Sequence, residues 1–164
     1  MSSSEENYCA EFIFPTVQEV INKPNYVDVN ERYQYQYPII MRYLKNKIRG
    51  WGIGDFFEKN RVKKIVLYAV TEFTELVCDD LKNGDAFAEL TYICDKNYMK
   101  FSEGYKGHQV VGIEKLLEDY EADEIEQIVV CSIFHANEIF EELLQRGIRL
   151  DDLVSINNII FGAL

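Results

Sequence analysis

The chain has 164 residues, of which 48% are hydrophobic and 27% charged, and this composition predicts one globular domain instead of a disordered or collagen-like chain. Its net charge of −11 disfavours binding to nucleic acid or to an anionic membrane surface, because both need a positive face. No apolar stretch approaches the roughly 20 residues that span a bilayer. The first residues are acidic where a signal peptide is basic, so we expect a cytoplasmic protein.

Residues 1–61 lack a regular alternation of strands and helices and are predicted to form a lead-in segment. We expect residues 1–7 to be disordered. Residues 8–21 contain apolar side chains that Pro15 interrupts, and this pattern favours a small extended element.

A helix is predicted at about 38–49 of the lead-in. Pro38 opens this stretch, apolar residues follow at helical spacing, and Gly50 lies just past the end, which is the usual placement of both residue types. A short amphipathic piece at 55–60 comes next. We expect this lead-in to pack onto the main domain, residues 62–164.

The main domain alternates short apolar runs with amphipathic stretches. Runs that are apolar throughout, such as 128–131, predict strands buried on both faces. Strands that alternate with helices are typical of right-handed crossovers, so we predict a three-layer α/β fold with helices on both faces of a mostly parallel sheet. The predicted strands are 65–68, 88–94, 110–111, 128–131 and 153–156, and the predicted helices are 71–81, 113–120 and 135–146.

The first strand-to-helix turn is the expected ligand contact. In parallel α/β sheets the ligand crevice lies beyond the carboxyl ends of the strands, and this turn normally contacts a pyrophosphate. The turn comprises Tyr68, Ala69, Val70, Thr71, Glu72, Phe73 and Thr74.

From about residue 33 to its end the chain resembles the Rossmann-like domains associated with bacterial surface-polysaccharide synthesis. That family includes domains joined to glycosyltransferases and the nucleotide-binding domains of sugar acetyltransferases and nucleotide-sugar dehydratases. Its members carry a strand ending in a Tyr-Gly-x-Gly-x-x-Gly turn, a second strand ending in an acid, and a later helix followed by a Gly-Ile turn. The resemblance implies a nucleotide or nucleotide-sugar ligand, with NAD(P) as a candidate cofactor, and a glycosyltransferase or other enzyme as partner. The matching segments are Lys64 to Tyr68, Tyr92 to Asp95, Ile128 to Ser132 and Glu138 to Ile148.

The three glycines of that turn are replaced here by Ala69, Thr71 and Thr74. The glycines give a tight turn, a close backbone approach to phosphate and close helix packing, so the replacements disfavour a dinucleotide in the usual pose. Glu72 and Glu75 also place carboxylates in the first helical turn, where a phosphate would bind. Thr71 has the alternative role of capping the helix.

Asp95 is the residue that the resemblance carries over most directly. It lies 24 residues after Thr71, close to the offset of about 20 residues for the acid that holds a ribose. Its alternative role is that of a solvated acid capping the turn at 95–97. Lys96 would face a phosphate or water, and Ser132 would line the crevice. The candidate binding residues are Tyr68, Ala69, Val70, Thr71, Glu72, Phe73, Asp95, Lys96 and Ser132.

Other reactive residue types form weaker patterns. Cys131 and His135 are four residues apart and suggest an activated thiolate, but a buried cysteine is the commoner explanation. The pairs at 79–80 and 151–152 are either cation ligands or, as we favour, exposed or capping acids. Scattered cysteines without a C-x-x-C pair indicate neither a zinc site nor a disulfide. They are Cys9, Cys78, Cys94 and Cys131.

Two surface features suggest contacts with other chains. Eight of the 17 basic residues lie within 42–64, which indicates either a solvated surface or a docking site for an acidic partner. Tyr33 to Tyr37 alternates tyrosine with glutamine, and such aromatic residues either stack on a sugar or base or form packing or oligomer contacts.

These patterns support two main hypotheses. The first is a non-catalytic domain that binds a nucleotide or nucleotide-sugar weakly in polysaccharide synthesis or glycosyl transfer. The second is an interaction or regulatory domain that has lost ligand binding. An active NAD-dependent sugar-modifying enzyme is the least favoured, because the resemblance of a fold does not by itself imply an activity.

Overall fold

The computed structural model describes residues 29–84 and 87–163, and the predicted elements at 1–7 and 8–21 lie outside this range. The described residues form six α-helices, five β-strands and two short 3-10 helices, Tyr98–Phe101 and Leu150–Asp152. In chain order the helices and strands are α1 Val29–Ile48, α2 Ile53–Asn60, β1 Lys64–Tyr68, α3 Glu72–Asn83, β2 Glu89–Cys94, β3 Val110–Val111, α4 Ile113–Glu121, β4 Gln127–Val130, α5 Ala136–Gln145, β5 Leu153–Ser155 and α6 Ile156–Phe161.

The five strands form one parallel sheet in the order β3-β2-β1-β4-β5. In chain order, β2 and β3 extend the sheet on one side of β1. The chain then crosses back, and β4 and β5 extend the sheet on the other side of β1. This reversal puts the switch point between β1 and β4, as in a Rossmann-like sheet. The predicted three-layer α/β fold is confirmed.

Alternate residues of β1 enter two separate cores. Ile65 and Leu67 join the core under α1, α2, α3 and α6, whereas Val66 and Tyr68 join the core under α4 and α5. All four side chains are buried. Because β1 is covered on both faces, its sequence is apolar throughout instead of alternating.

The helix α1 begins nine residues before the predicted start and contains Pro38 within it, so the predicted first turn at 38 is wrong. Proline inside a helix removes one backbone hydrogen bond and costs about 3 kcal/mol. Contacts on both sides of Pro38 offset that cost: Tyr35 packs edge-on against Phe134, and Ile39 is buried in the core. The predicted end is confirmed, since Gly50 adopts a φ of 80° just past the helix.

The lead-in helices pack onto the sheet domain through buried polar contacts. Asn46 donates from Nδ2 to the carbonyl of Ile160 at 2.8 Å. Asp80, on α3, accepts from the backbone amide of Ile53 and from Lys47 Nζ, both at 2.5 Å. The carboxylate of Asp80 therefore joins α1, the start of α2 and α3.

Candidate functional site

The candidate site is the turn from Tyr68 to Thr74, which leads from the carboxyl end of β1 into α3. Backbone hydrogen bonds join its start to both neighbouring strands: the Ala69 amide donates to the Cys94 carbonyl at 2.8 Å, and the Cys131 amide donates to the Tyr68 carbonyl at 2.9 Å. Asp95 follows β2 directly, and Ser132 lies two residues beyond the end of β4. The predicted site residues are therefore brought together at the switch point.

Ala69 has a φ of 76°, in the left-handed region that glycine normally occupies. This is the position of the first glycine in the Tyr-Gly-x-Gly-x-x-Gly pattern. The turn thus keeps a backbone shape suited to glycine although a Cβ is present, and this conformation costs an alanine roughly 1–2 kcal/mol.

Thr71 caps the helix α3, as its alternative role predicted. Its Oγ1 accepts from the amides of Phe73 at 3.2 Å and Thr74 at 3.4 Å, and donates to the Cys131 carbonyl at 2.9 Å. Thr74 completes the cap, because its Oγ1 accepts from the Thr71 amide at 3.1 Å and donates to the Ala69 carbonyl at 2.5 Å.

Asp95 holds the turn from the neighbouring strand. Its Oδ2 accepts from the Val70 amide at 2.7 Å and its Oδ1 from the Asn97 amide at 2.7 Å. The second bond is the predicted cap of the 95–97 turn, but Asp95 is buried instead of solvated, with 9% of its surface exposed. Four amides of the turn, those of Val70, Thr71, Phe73 and Thr74, therefore bond side-chain oxygens of this chain.

Of the other predicted site residues, two lie in the core, one is exposed and one forms an ion pair. Phe73 and Tyr68 are buried, and the Tyr68 hydroxyl finds no partner among the described residues. Burial raises the pKa of that phenol well above its usual range. Glu72 is exposed, and Lys96 forms a 2.6 Å ion pair with Glu142 of α5.

Ser132 is buried just beyond β4. Its hydroxyl accepts from the amide of His135 at 3.3 Å, in the loop that leads to α5. This residue therefore shapes the second loop at the switch point, across from the β1 turn.

The cysteine and histidine pair does not form an activated thiolate. Burial raises the pKa of Cys131 to about 12, so its thiol is protonated near neutral pH. The imidazole of His135 is half exposed and lies 3.2 Å from the Glu138 carboxylate. Within the described parts of the chain, no group of three or more potential ligand side chains is arranged to hold a metal ion.

The neighbouring acids Asp79 and Asp80 differ in their surroundings. Asp79 is half exposed and lies 3.2 Å from Lys106. Asp80 is buried, and its carboxylate caps the start of α2. For this residue the expected capping role is therefore right, and the expected exposure is wrong. Sequence spacing gave no signal for this contact, because Asp80 and Ile53 lie on different helices.

A cleft of about 640 Å³ lies away from the turn, beside the amino-terminal half of β2. Lys106 at its wall is paired with Glu75 and Asp79. Burial lowers the pKa of His108, which favours the neutral imidazole. The cleft is lined by Cys78, Asp79, Leu81, Lys82, Ala88, Glu89, Leu90, Lys106, Gly107 and His108.

The sheet order and the β1 turn define a Rossmann-like α/β domain. Comparison of the chain with protein-family models, curated proteins and solved structures found no match. Among the helices that the structure describes, none has both the length and the apolar character needed to cross a bilayer.

Proposed function

We propose that this chain is a non-catalytic interaction domain whose Rossmann-like turn stabilises the fold and binds no nucleotide. The observation that carries the proposal is the set of four turn amides already bonded to side-chain oxygens. In nucleotide-binding domains, amides at this helix start contact phosphate oxygens. Here the oxygens of Asp95, Thr71 and Thr74 take that role.

Charge at the turn also disfavours a phosphate. The Asp95 carboxylate lies 2.7 Å from the Val70 amide, and a phosphate approaching the same amide would have to displace a buried anion. Glu72 adds a second carboxylate in the first turn of α3. Like charges at short range repel most strongly where water is excluded, as at the buried Asp95, so an anionic ligand meets both a steric and an electrostatic barrier.

The chemistry of the described residues favours a non-catalytic role. Burial raises the pKa of Cys78 to about 11 and those of Cys94 and Cys131 to about 12, so these thiols are poor nucleophiles near neutral pH. The surface is better suited to contacts with other proteins, because large side chains such as Tyr33 and Ile48 are well exposed on α1.

Weak binding of a nucleotide or nucleotide-sugar is the second candidate function, with a role in polysaccharide synthesis. Two observations favour it: Ala69 retains the positive φ of a phosphate turn, and Asp95 lies at the end of β2 where a ribose-binding acid is expected. Either function is compatible with a cytoplasmic protein.

A thermal-shift experiment on the full chain separates the two functions. NAD, NADP, UDP and UDP-glucose are each added at millimolar concentration, with sodium sulfate at equal ionic strength as the control for general anion effects. A ligand at one hundred times its dissociation constant adds about 2.7 kcal/mol of stability, or roughly 5–10 °C for a domain of this size. We expect no rise beyond the sulfate control.

The Asp95→Asn variant is screened alongside the wild type. A nucleotide that raises the melting temperature of the wild type but not that of Asp95→Asn would refute the proposal and establish the second candidate. A flat result in the wild type supports the interaction domain.

A further inference from the structure

The side of β2 that faces β3 is only partly covered. β3 pairs with Ile93 and Cys94, and among the described residues no strand pairs with the earlier part of β2 on this side. The chain before β3 folds into a tight turn instead, in which Tyr105 and His108 exchange backbone hydrogen bonds at 2.8 and 2.9 Å. We call the uncovered part of β2, residues 89–91, the open edge.

The backbone of the open edge faces the cleft. The Glu89 amide donates to the Lys63 carbonyl at 2.7 Å, so the backbone of Glu89 faces β1. Successive residues of a strand direct their amides and carbonyls to alternate sides, so those of Leu90 face away from β1. Leu90 also lines the cleft of about 640 Å³. The cleft therefore occupies the position that a longer β3 would fill.

The cleft is apolar inside and charged at its rim. Cys78 and Leu81 of α3 are buried, as is Ala88, whereas Lys82 and Glu89 are exposed. Its volume lies within the range of sites that bind small ligands and short peptides. An unpaired strand edge beside an apolar floor is the arrangement that binds an extended peptide as an added strand, through main-chain hydrogen bonds and contacts with alternate side chains.

We propose that residues 8–14 of this chain occupy the cleft as an added strand on the open edge. Their sequence, Tyr-Cys-Ala-Glu-Phe-Ile-Phe, is rich in the aromatic and β-branched side chains that favour strands. Pro15 follows them and cannot donate to a ladder, which fits a strand that ends there. The inference goes beyond the proposed function and does not depend on whether the β1 turn binds a nucleotide.

The length of the chain before α1 is sufficient for this contact. Lys47, near the end of α1, bonds to Asp80 of α3, and the neighbouring Asp79 lines the cleft. The start of α1 therefore lies roughly one helix length, about 30 Å, from the end of α3 that forms the cleft. Residues 15–28 span up to about 46 Å when extended. They are long enough to connect residues 8–14 in the cleft to α1.

Two further properties favour this occupant over a separate peptide. An attached segment acts at an effective concentration on the order of millimolar, so a short strand with few hydrogen bonds is sufficient. Residues 1–14 carry three glutamates and no lysine or arginine. Lys82 and Lys106 balance the charges of Asp79 and Glu89 in the cleft lining. The cleft therefore does not repel an acidic segment, although the whole chain has a net charge of −11.

Hydrogen exchange of the Leu90 amide, followed by NMR in the full chain, tests the added strand. We expect this amide to exchange at least about tenfold more slowly than an exposed amide. Phe12→Pro and Ile13→Pro are made separately. Because successive amides of a strand face alternate sides, one of these prolines removes an amide that bonds to the open edge. That variant should speed the exchange of Leu90 at least about tenfold, whereas the control Asn22→Pro, in the connecting stretch, should not.

A nitroxide spin label tests the location of the segment. In a Cys9→Ser background the remaining cysteines are buried, so a label on Ser4→Cys attaches at one site, just before residues 8–14. The label should broaden the amide resonances of Leu90 and Gly107, beside the cleft, more than that of Leu144, on α5 across the sheet. Asn22→Pro should keep this difference.

A Leu90 amide that exchanges like an exposed one overturns the proposal, and so does protection that neither proline variant reduces. Equal broadening of Leu90 and Leu144 also overturns it, and this measurement decides the question if the proline variants do not fold. The nucleotide screen gives a separate result. A nucleotide that stabilises the protein refutes the proposed function, whereas amide exchange and broadening alone decide the added strand.

Discussion

Replacing Asp95 with alanine should destabilise the protein by about 3 kcal/mol. Asp95 accepts two amide hydrogen bonds, from Val70 and Asn97, at 2.7 Å each. A hydrogen bond to a charged group is worth about 1.5–3 kcal/mol, and the Val70 amide, which is half-buried, is at the upper end. Asn97 is an exposed residue, so water can take the place of the lost carboxylate and the cost there is smaller. Asp95→Asn keeps one acceptor oxygen and should lose about half as much.

Urea unfolding followed by circular dichroism measures this loss, with a parallel thermal melt. A loss of about 3 kcal/mol corresponds to a melting temperature lower by roughly 6–12 °C for a chain of this length. Asp151→Ala is the matched control, since the side chain of Asp151 is 87% exposed and should change stability by less than about 0.5 kcal/mol. If Asp95→Ala were as stable as the control, the carboxylate would not hold the turn.

Three further predictions concern the turn, the lead-in and the thiols. Ala69→Gly should raise the free energy of unfolding by about 0.5–1 kcal/mol in urea titrations, because relief of the strained φ exceeds the added backbone entropy of glycine. Asp80→Asn should lower it by about 2 kcal/mol, since the amide cannot accept from both Ile53 and Lys47, whereas Asp79→Asn should cost less than about 0.5 kcal/mol. In a Cys9→Ser variant, iodoacetamide at pH 8 should modify no thiol until the protein is unfolded, because burial raises the pKa of the remaining cysteines, Cys78, Cys94 and Cys131.

Each of these predictions has a contrary result. A less stable Ala69→Gly variant would mean that its turn relaxes away from the observed backbone. Equal losses for the two aspartate variants would mean that Asp80 does not join the lead-in to α3. Rapid alkylation of the native protein would show that the cores open frequently enough to expose their thiols.

The strands could be predicted because their signal is local. Ile65 to Tyr68 and Ile128 to Val130 are apolar throughout, and this pattern follows from burial on both faces of β1 and β4. The sequence does not predict the helix α6, because six residues make fewer than two helical turns and show no clear period. Pro38 predicts the wrong start for α1, since contacts distant in sequence outweigh the local preference of proline for the first helical turn.

The site could be predicted by position but not by its bonds. The order of strands and helices places Asp95 at the edge beside the turn, and the capping preference of threonine indicates the role of Thr71. The bond from Val70 to Asp95 joins residues 25 apart on different strands, and no local pattern specifies it. The burial of Asp80 likewise results from the packing of α1 and α2 against α3, and no local sequence pattern specifies this packing.

The hydrogen bonds of the turn make its loss of the glycine pattern hard to reverse by single steps. Thr71→Gly removes the hydroxyl that caps α3, which costs about a few tenths of a kcal/mol at the cap itself, and Thr74→Gly costs roughly 0.3 kcal/mol in helix propensity. Each change also leaves a partly buried hydrogen bond without one of its two groups: Thr71→Gly leaves the Cys131 carbonyl without its donor, and Thr74→Gly leaves the Thr71 amide without its acceptor. Intermediates that carry Thr71→Gly or Thr74→Gly are therefore less stable than the present chain, whereas Ala69→Gly alone is expected to be more stable. Selection or design that aims to restore nucleotide binding must change several of these positions together.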